Sequence, residues 1–322
     1  MNAWSELVER VAQRRRAELG TLSDAAYQEL HEAVEADVDH FIDTPEEEAF
    51  RLVAKAVERE SAARNGEDLL DDNAFFEART RRMARLARDC DEALGADQNC
   101  LDARLLHVLA QDQDPDQTLG PLLELEQSAI ALLGGAAMPA DAWNDVHLRP
   151  LLRVKAAVSR ASFDSARYRL ASDKGEECIA LSPTDTLGMR HTCFLAYARL
   201  EDETAFDALD VRFSRQGSAW SLLGRAILLY KLGRMTAAKR AICGYTRLVE
   251  GGAYALLKPI MIDTYLPDRP EAAPLSFAEA TLAVHESDPV VCDVPDFIGW
   301  TQGIRDVWFS AQDFAKRNGF DW

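Results

Sequence analysis

The sequence lacks the features that define membrane proteins and β-sheet proteins. Its 322 residues contain no apolar run of 18, so we expect no membrane-spanning helix. Aromatic residues make up only 8% of the chain, while alanine and leucine dominate, a composition that favours helix-on-helix packing. No stretch shows the two-residue period of a strand. The sequence therefore predicts an all-α fold.

Paired cysteines and catalytic motifs are also missing. The six cysteines are scattered without a CxxC pair, which predicts reduced, mostly buried thiols and a cytoplasmic location. No GxSxG, HExxH, phosphate-binding or dinucleotide-binding motif occurs in a suitable context. His31, Glu35 and Asp39 share one helical face, which we interpret as a solvated acidic face rather than a metal site. We expect a non-enzymatic protein without catalytic residues, metal or cofactor.

The net charge of −18 is concentrated in the first half of the chain. Residues 1–150 carry 15 Lys and Arg against 32 Asp and Glu, a net charge of −17. Such a region repels nucleic acid and anionic lipid, so neither is an expected partner. Residues 79–88, RTRRMARLAR, are the basic exception. We interpret these arginines as paired with neighbouring acidic helices; the alternative is a contact for RNA or for an acidic partner.

Helical periodicity and capping residues divide the first 140 residues into several helices. Thr44 caps a helix that starts with Pro45, and Glu47 lies three residues after the cap. Polar residues 65–72 and 111–117 are predicted connections. The other predicted helices cover 1–19, 23–42, 73–94, 101–110 and 118–134, the last ending at the Gly134-Gly135 pair.

A small residue returns at a nearly constant interval in the second half of the chain. Ala171, Ala205 and Ala238 are separated by 34 and 33 residues, the length of one helix–turn–helix repeat. A small side chain lets the second helix of a pair pack closely on the first. The interval predicts helical hairpins at about 149–181, 186–213 and 219–249, stacked so that each contacts mainly its neighbours.

The same region resembles the tetratricopeptide-repeat (TPR) proteins, in particular a bacterial subgroup. The motif residues of one unit are Trp220, Leu223, Gly224, Gly233 and Ala238. The junction after residue 181 has the subgroup's Pro-x-Asp-x-x-Gly-x-Arg pattern, in which Asp185 is expected to cap the next helix: Pro183, Asp185, Gly188 and Arg190. The resemblance covers about 149–250. It implies a right-handed α-α superhelix, a TPR-like solenoid of antiparallel helix pairs.

The resemblance also divides the chain into three regions. Residues 1–140 are an N-terminal region of irregular hairpins, and residues 141–255 are the repeat core. Residues 256–322 form a C-terminal helical cap, where Ser276 and Glu279 make a capping box. We expect the three regions to form one continuous solenoid.

In TPR proteins the first helix of each pair lines a concave groove. The residues that this places in the groove are Arg153, Arg160, Phe163, His191 and Arg225. Each has a simpler explanation as a core or ion-paired residue. Together they suggest a modestly cationic surface suited to a protein or peptide partner with an acidic segment or a C-terminal carboxylate.

Two functional hypotheses follow. The first is a non-enzymatic scaffold or adaptor that binds a protein or peptide in its concave groove. The second is a regulatory or enzyme-associated protein that binds a small ligand near the acidic N-terminal half. The sequence assigns no oligomeric state.

Overall fold

The computed structural model describes residues 2–67, 70–133, 138–260, 262–263 and 266–322, and these ranges contain sixteen α-helices and no strand. The all-α prediction is therefore confirmed for this part of the chain. None of these helices is long and apolar enough to cross a bilayer. The helices are α1 (Ala3–Leu19), α2 (Asp24–Ala36), α3 (Pro45–Asn65), α4 (Asp72–Ala96), α5 (Leu101–Ala110), α6 (Pro115–Leu133), α7 (Arg149–Asp164), α8 (Tyr168–Leu181), α9 (Met189–Leu200), α10 (Glu203–Arg212), α11 (Ala219–Lys231), α12 (Met235–Leu248), α13 (Gly252–Leu257), α14 (Phe277–Val291), α15 (Asp296–Gln302) and α16 (Arg305–Asn318).

The chain forms two compact units, each built from separate stretches of sequence. Unit 1 contains Met1–Val158, Leu181–Thr186 and Leu266–Asp268. Unit 2 contains Ser159–Ala180, Leu187–Tyr265 and Arg269–Trp322. The predicted division into residues 1–140, 141–255 and 256–322, and the single solenoid, stay predictions.

Unit 1 is organised around helix α3, which packs against α1, α4 and α5. Each helix contributes one apolar stripe, as expected when a helix buries a single face. The largest fully buried side chain of α3 is Phe50. Around it lie apolar side chains of α1, α3, α4 and α5, including Leu7, Val11, Val53, Met83, Leu86, Cys90 and Leu106.

The helix starts of unit 1 follow from local capping. The Thr44 hydroxyl accepts a hydrogen bond from the Glu47 amide at 3.3 Å, and Pro45 occupies the first turn of α3. Helix α6 begins at Pro115, three residues before the prediction, because proline fits the first turn of a helix. Its predicted end at Gly134-Gly135 lies outside the described residues.

The predicted hairpins match helices α7–α8, α9–α10 and α11–α12 to within a few residues. Within unit 2, α11 packs against its own partner α12 and also against α9, the first helix of the preceding hairpin. Adjacent helix pairs therefore pack as in a helical repeat. This arrangement buries one face of each helix against the next hairpin.

The repeated packing position holds a buried alanine in two hairpins and a phenylalanine in the third. Ala171 and Ala238 are the fourth residues of α8 and α12, and both are fully buried. In α10 the fourth residue is Phe206, whereas Ala205 is only half-buried. Gly224 makes room for the ring, because a Cβ atom there would lie 3.4 Å from Phe206 Cε2. The assignment of Ala205 to this position was wrong by one residue.

The junction before α9 depends on a glycine. Gly188 is the N-cap of α9 with φ of +65°, a left-handed conformation that suits glycine. A Cβ atom there would lie 2.7 Å from Arg269 Nη1 and 2.9 Å from His191 Cδ2. The N-cap residue itself is Gly188, which has no side chain to form a cap, and the capping of α9 by Asp185 stays a prediction.

An aromatic cluster joins α13, α14 and α16 in unit 2. Phe277 and Phe314 lie 4.8 Å apart between ring centroids, and Tyr254 lies 5.7 Å from Phe314. After Gly319 the chain turns back, and the Phe320 ring lies 5.4 Å from that of Tyr254. Helix ends far apart in sequence are thus held by ring contacts.

All six cysteines are free thiols, and five of them are buried. Burial raises the pKa of Cys90 and that of Cys100 to about 12. The prediction that the cysteines are mostly buried is confirmed, and their reduced state in the cell stays a prediction.

Candidate functional site

Arg153 lies inside unit 1 in a network of carboxylates. Only 1% of its surface is exposed. Its Nη1 donates to Asp102 Oδ1 at 3.0 Å, its Nε donates to Asp268 Oδ2 at 3.4 Å, and its Nη2 donates to Glu6. In this conformation Arg153 offers no surface to a partner, and its charge is used within the unit.

A second arginine, Arg10, belongs to this buried network. Arg10 pairs with Glu6 at 2.6 Å and with Asp102 at 2.8 Å. Burial by itself would raise the pKa of Glu6, but Arg153 and Arg10 outweigh burial and lower it to about 2. The same carboxylates raise the pKa of Arg153 against the effect of its own burial. Glu6 and Arg153 are therefore both charged throughout the physiological pH range.

Two other predicted residues, His191 and Arg160, come together near Arg269 in unit 2. The His191 ring stacks on Trp220 with centroids 4.0 Å apart, and its Nδ1 lies 3.3 Å from Ser218 Oγ. Burial lowers the pKa of His191 well below its ordinary value, and Arg269 lowers it further. His191 is consequently neutral at physiological pH and serves as a packed, hydrogen-bonded ring.

Arg269 is the centre of this polar cluster. Its Nε donates to Glu286 Oε1 at 2.7 Å, and its Nη1 donates to the Gly188 carbonyl at 2.6 Å. Trp220 Nε1 donates to the other oxygen of Glu286 at 2.8 Å. Residue 269 lies beyond residues 149–250, the range that the repeat resemblance covers, so no sequence signal marked it.

Asp164 belongs to the same cluster. Burial raises its pKa to about 6, and the negative charge of Glu286 acts in the same direction, whereas Arg160 and Arg269 oppose it. The side chain still has part of its surface exposed. This carboxyl group therefore titrates closer to neutral pH than an ordinary aspartate.

Helix α14 packs on both α9 and α11, the first helices of two successive hairpins. Glu279 Oε2 accepts hydrogen bonds from the amides of Leu275 at 2.6 Å and Ala219 at 3.2 Å. Ala280 and Ala283 of α14 have no exposed surface. Two of the three helices expected to line an open groove, α9 and α11, are thus covered by the protein's own chain. Of the predicted capping box, the Ser276 half is confirmed, since its hydroxyl accepts from the Glu279 amide at 3.2 Å; the Ser276 amide instead donates to the Ala273 carbonyl.

Phe163 and Arg225 take up packing positions elsewhere in unit 2. Phe163 is buried edge-to-face against Tyr168, with centroids 5.3 Å apart. Arg225 pairs with Asp207 at 2.5 Å, and its guanidinium lies 4.2 Å from the centroid of the Phe206 ring. Of the five predicted groove residues, only Arg160 and His191 share a cluster within one unit. A partner contact for any of the five stays a prediction.

The outer surface of helix α12 is cationic, in contrast to the acidic chain as a whole. Its sequence MTAAKRAICGYTRL contains no acidic residue. Lys239, Arg240 and Arg247 are exposed, and none forms an ion pair with any described residue. Leu248 beside them is 57% exposed. An unpaired cationic surface with an apolar neighbour is unusual in so acidic a protein.

The basic stretch on α4 is largely neutralised in place. Arg79 pairs with Asp112, and the buried Arg82 pairs with Glu60 at 2.7 Å and with Glu67 at 3.1 Å. The interpretation that these arginines pair with acidic neighbours is confirmed for Arg79 and Arg82. Arg85 and Arg88 of the same helix remain exposed.

No family model, curated protein or solved structure matches this chain. Among the described residues, no group of three or more His, Cys, Asp or Glu side chains is placed to hold a metal ion. Contacts, charge and exposure are therefore the basis for a functional assignment.

Proposed function

We propose that this protein is a non-enzymatic helical adaptor, TPR-like in its hairpin stacking, that binds a protein partner. The observation that carries the proposal is the difference between the two sides of the hairpins. The first helices α9 and α11 are covered by α14. The second helices leave large apolar side chains in solvent: Val211 of α10 is 56% exposed and Leu248 of α12 is 57% exposed.

The covered side is a poor place for a partner to enter. Displacing α14 would expose Leu282, Val290 and the rest of its buried face, and each such side chain costs about 1.5–3 kcal/mol. The partner is accordingly assigned to the outer surface formed by the second helices, in place of the concave groove. The right-handed superhelix and the cytoplasmic location are parts of this proposal.

Site-specific photo-crosslinking tests it. A photoreactive amino acid at Leu248 should form protein adducts in cell extract, whereas the same residue at Leu19 should not. Leu19 is a matched control because it is 64% exposed and lies in unit 1. Equal adducts at both positions, or none at Leu248, would reject the adaptor function. If Leu248 forms no adducts, a rise in the melting temperature of the protein on addition of a metabolite fraction would instead favour the small-ligand hypothesis.

A further inference from the structure

We infer that the outer face of α12 recognises an acidic helical segment of the partner protein. The inference rests on the proposed adaptor function and adds the chemistry of the contact. Arg240 and Arg247 are seven residues apart, which places them on one face about 10.5 Å apart along the helix axis. Lys239 lies beside this pair, and Leu248 follows Arg247 directly. A partner helix with carboxylates two turns apart and an adjacent apolar side chain matches this pattern.

The residue types suit carboxylates. An arginine guanidinium binds a carboxylate through two parallel hydrogen bonds, which gives direction as well as attraction. Nearby cations of the same hairpin are not available in this way: Arg234 pairs with Glu203 at 2.5 Å, and Arg225 pairs with Asp207. Within the part of the chain that the structure describes, the exposed cations of α12 have no ion-pair partner, so binding does not require such an ion pair to break.

The net charge of −18 favours a short acidic helix over an extended polyanion as the partner of α12. A membrane surface or a nucleic acid would bring a large negative field towards a protein that is itself strongly negative. At physiological ionic strength charges interact over only about 8 Å, so a short segment responds mainly to the local cations. A protein segment therefore fits the α12 face better than either polyanion.

The experiment uses a labelled helical peptide with two glutamates seven residues apart and a leucine next to one of them. A second peptide carries glutamine at both positions. Fluorescence anisotropy with the full-length protein should show binding of the glutamate peptide at least about tenfold tighter than that of the glutamine peptide, an advantage that falls with salt. Arg240→Glu/Arg247→Glu should weaken glutamate-peptide binding by about tenfold or more.

The matched control is Arg85→Glu/Arg88→Glu on α4, which changes the net charge equally at exposed positions. Binding of the glutamate peptide by this variant should stay close to wild type. Both variants alter exposed side chains that form no ion pair with another described residue, and circular dichroism and melting would verify that each is folded. Equal weakening by both variants would show a net-charge effect and overturn the inference.

Two further outcomes would also overturn it. One is tighter binding of phosphatidylserine vesicles or duplex DNA than of the glutamate peptide, abolished by the α12 variant. The other is persistence of the Leu248 crosslinks in the α12 variant, which would leave the adaptor function standing without the acidic helix. If the α12 variant loses both the Leu248 crosslinks and peptide binding, the adaptor function and the acidic-helix contact are both supported.

Discussion

Unit 1 and unit 2 are both all-helical, but they use different interactions to join distant parts of the chain. In unit 1, Arg153 binds Glu6, Asp102 and Asp268 in a buried ionic network. In unit 2, aromatic rings and small residues at helix crossings do this alongside the ion pair of Arg269 with Glu286. Ionic networks need every partner present and charged, whereas ring packing depends on volume and shape. The two units should therefore respond differently to mutation and to pH.

Removing Arg153 should have the largest effect. Arg153→Ala leaves buried carboxylates without their cation, which typically costs about 3–5 kcal/mol. Hydrogen-exchange mass spectrometry would compare the protection of α1 and α5 in unit 1 with that of α11 in unit 2. We expect lost protection in unit 1. Comparable loss in α11 would show that the two units do not respond separately.

Acid should weaken unit 1 through Glu6. Its pKa is lowered in the folded state, so its contribution is present above the ordinary value of 4.5 and is lost as the pH falls towards about 2. The full shift corresponds to about 3 kcal/mol. Urea unfolding of unit 1, followed by hydrogen exchange, would be measured at pH 6, 4 and 3. It gives the slope of the free energy of unfolding against pH. In Glu6→Gln the slope should flatten; an unchanged slope would assign the acid sensitivity to other carboxylates.

Overpacking in unit 2 should lower the free energy of unfolding by less than the changes in unit 1 do. Ala238 is fully buried at a helix crossing, and Ala238→Leu should cost about 1–3 kcal/mol. Ala205→Leu is the control, since Ala205 is half-buried and its leucine can extend towards solvent. Thermal melting should separate the two variants. Equal melting temperatures would contradict the assignment of Phe206 as the packing residue of α10.

The smallest effect should come from Asp164, and its sign should be opposite to that of Glu6. Its folded pKa is raised to about 6, so its contribution is present below the ordinary value of 3.8 and is lost as the pH rises through 6. The side chain reaches solvent, which reduces the magnitude. Exchange protection of α14 should fall slightly between pH 5 and 7, and Asp164→Asn should remove that dependence.

The sequence predicted local features well. Helix limits followed from caps and from periodicity, as at Thr44 and Pro45, because these signals lie within one turn of the residues they affect. The repeat interval identified three hairpins, yet it misplaced Ala205 by one residue, because a glycine on α11 allowed a phenylalanine at the crossing.

Long-range features could not be predicted in the same way. Arg153 meets partners 51, 115 and 147 residues away, and no local pattern encodes those pairs. The position of α14 on α9 and α11 likewise depends on tertiary contacts of Glu279 and Glu286. No sequence pattern therefore indicated that α14 covers α9 and α11, two of the helices expected to line the groove.

The discontinuity of unit 1 has a consequence for biosynthesis. Asp268 belongs to this unit, although more than a hundred residues separate it from Arg153. Domains near the N-terminus usually fold first during translation. Here the ribosome must have released residue 268 before Arg153 can bind its last carboxylate, so unit 1 cannot reach its final state until much of unit 2 has been synthesised.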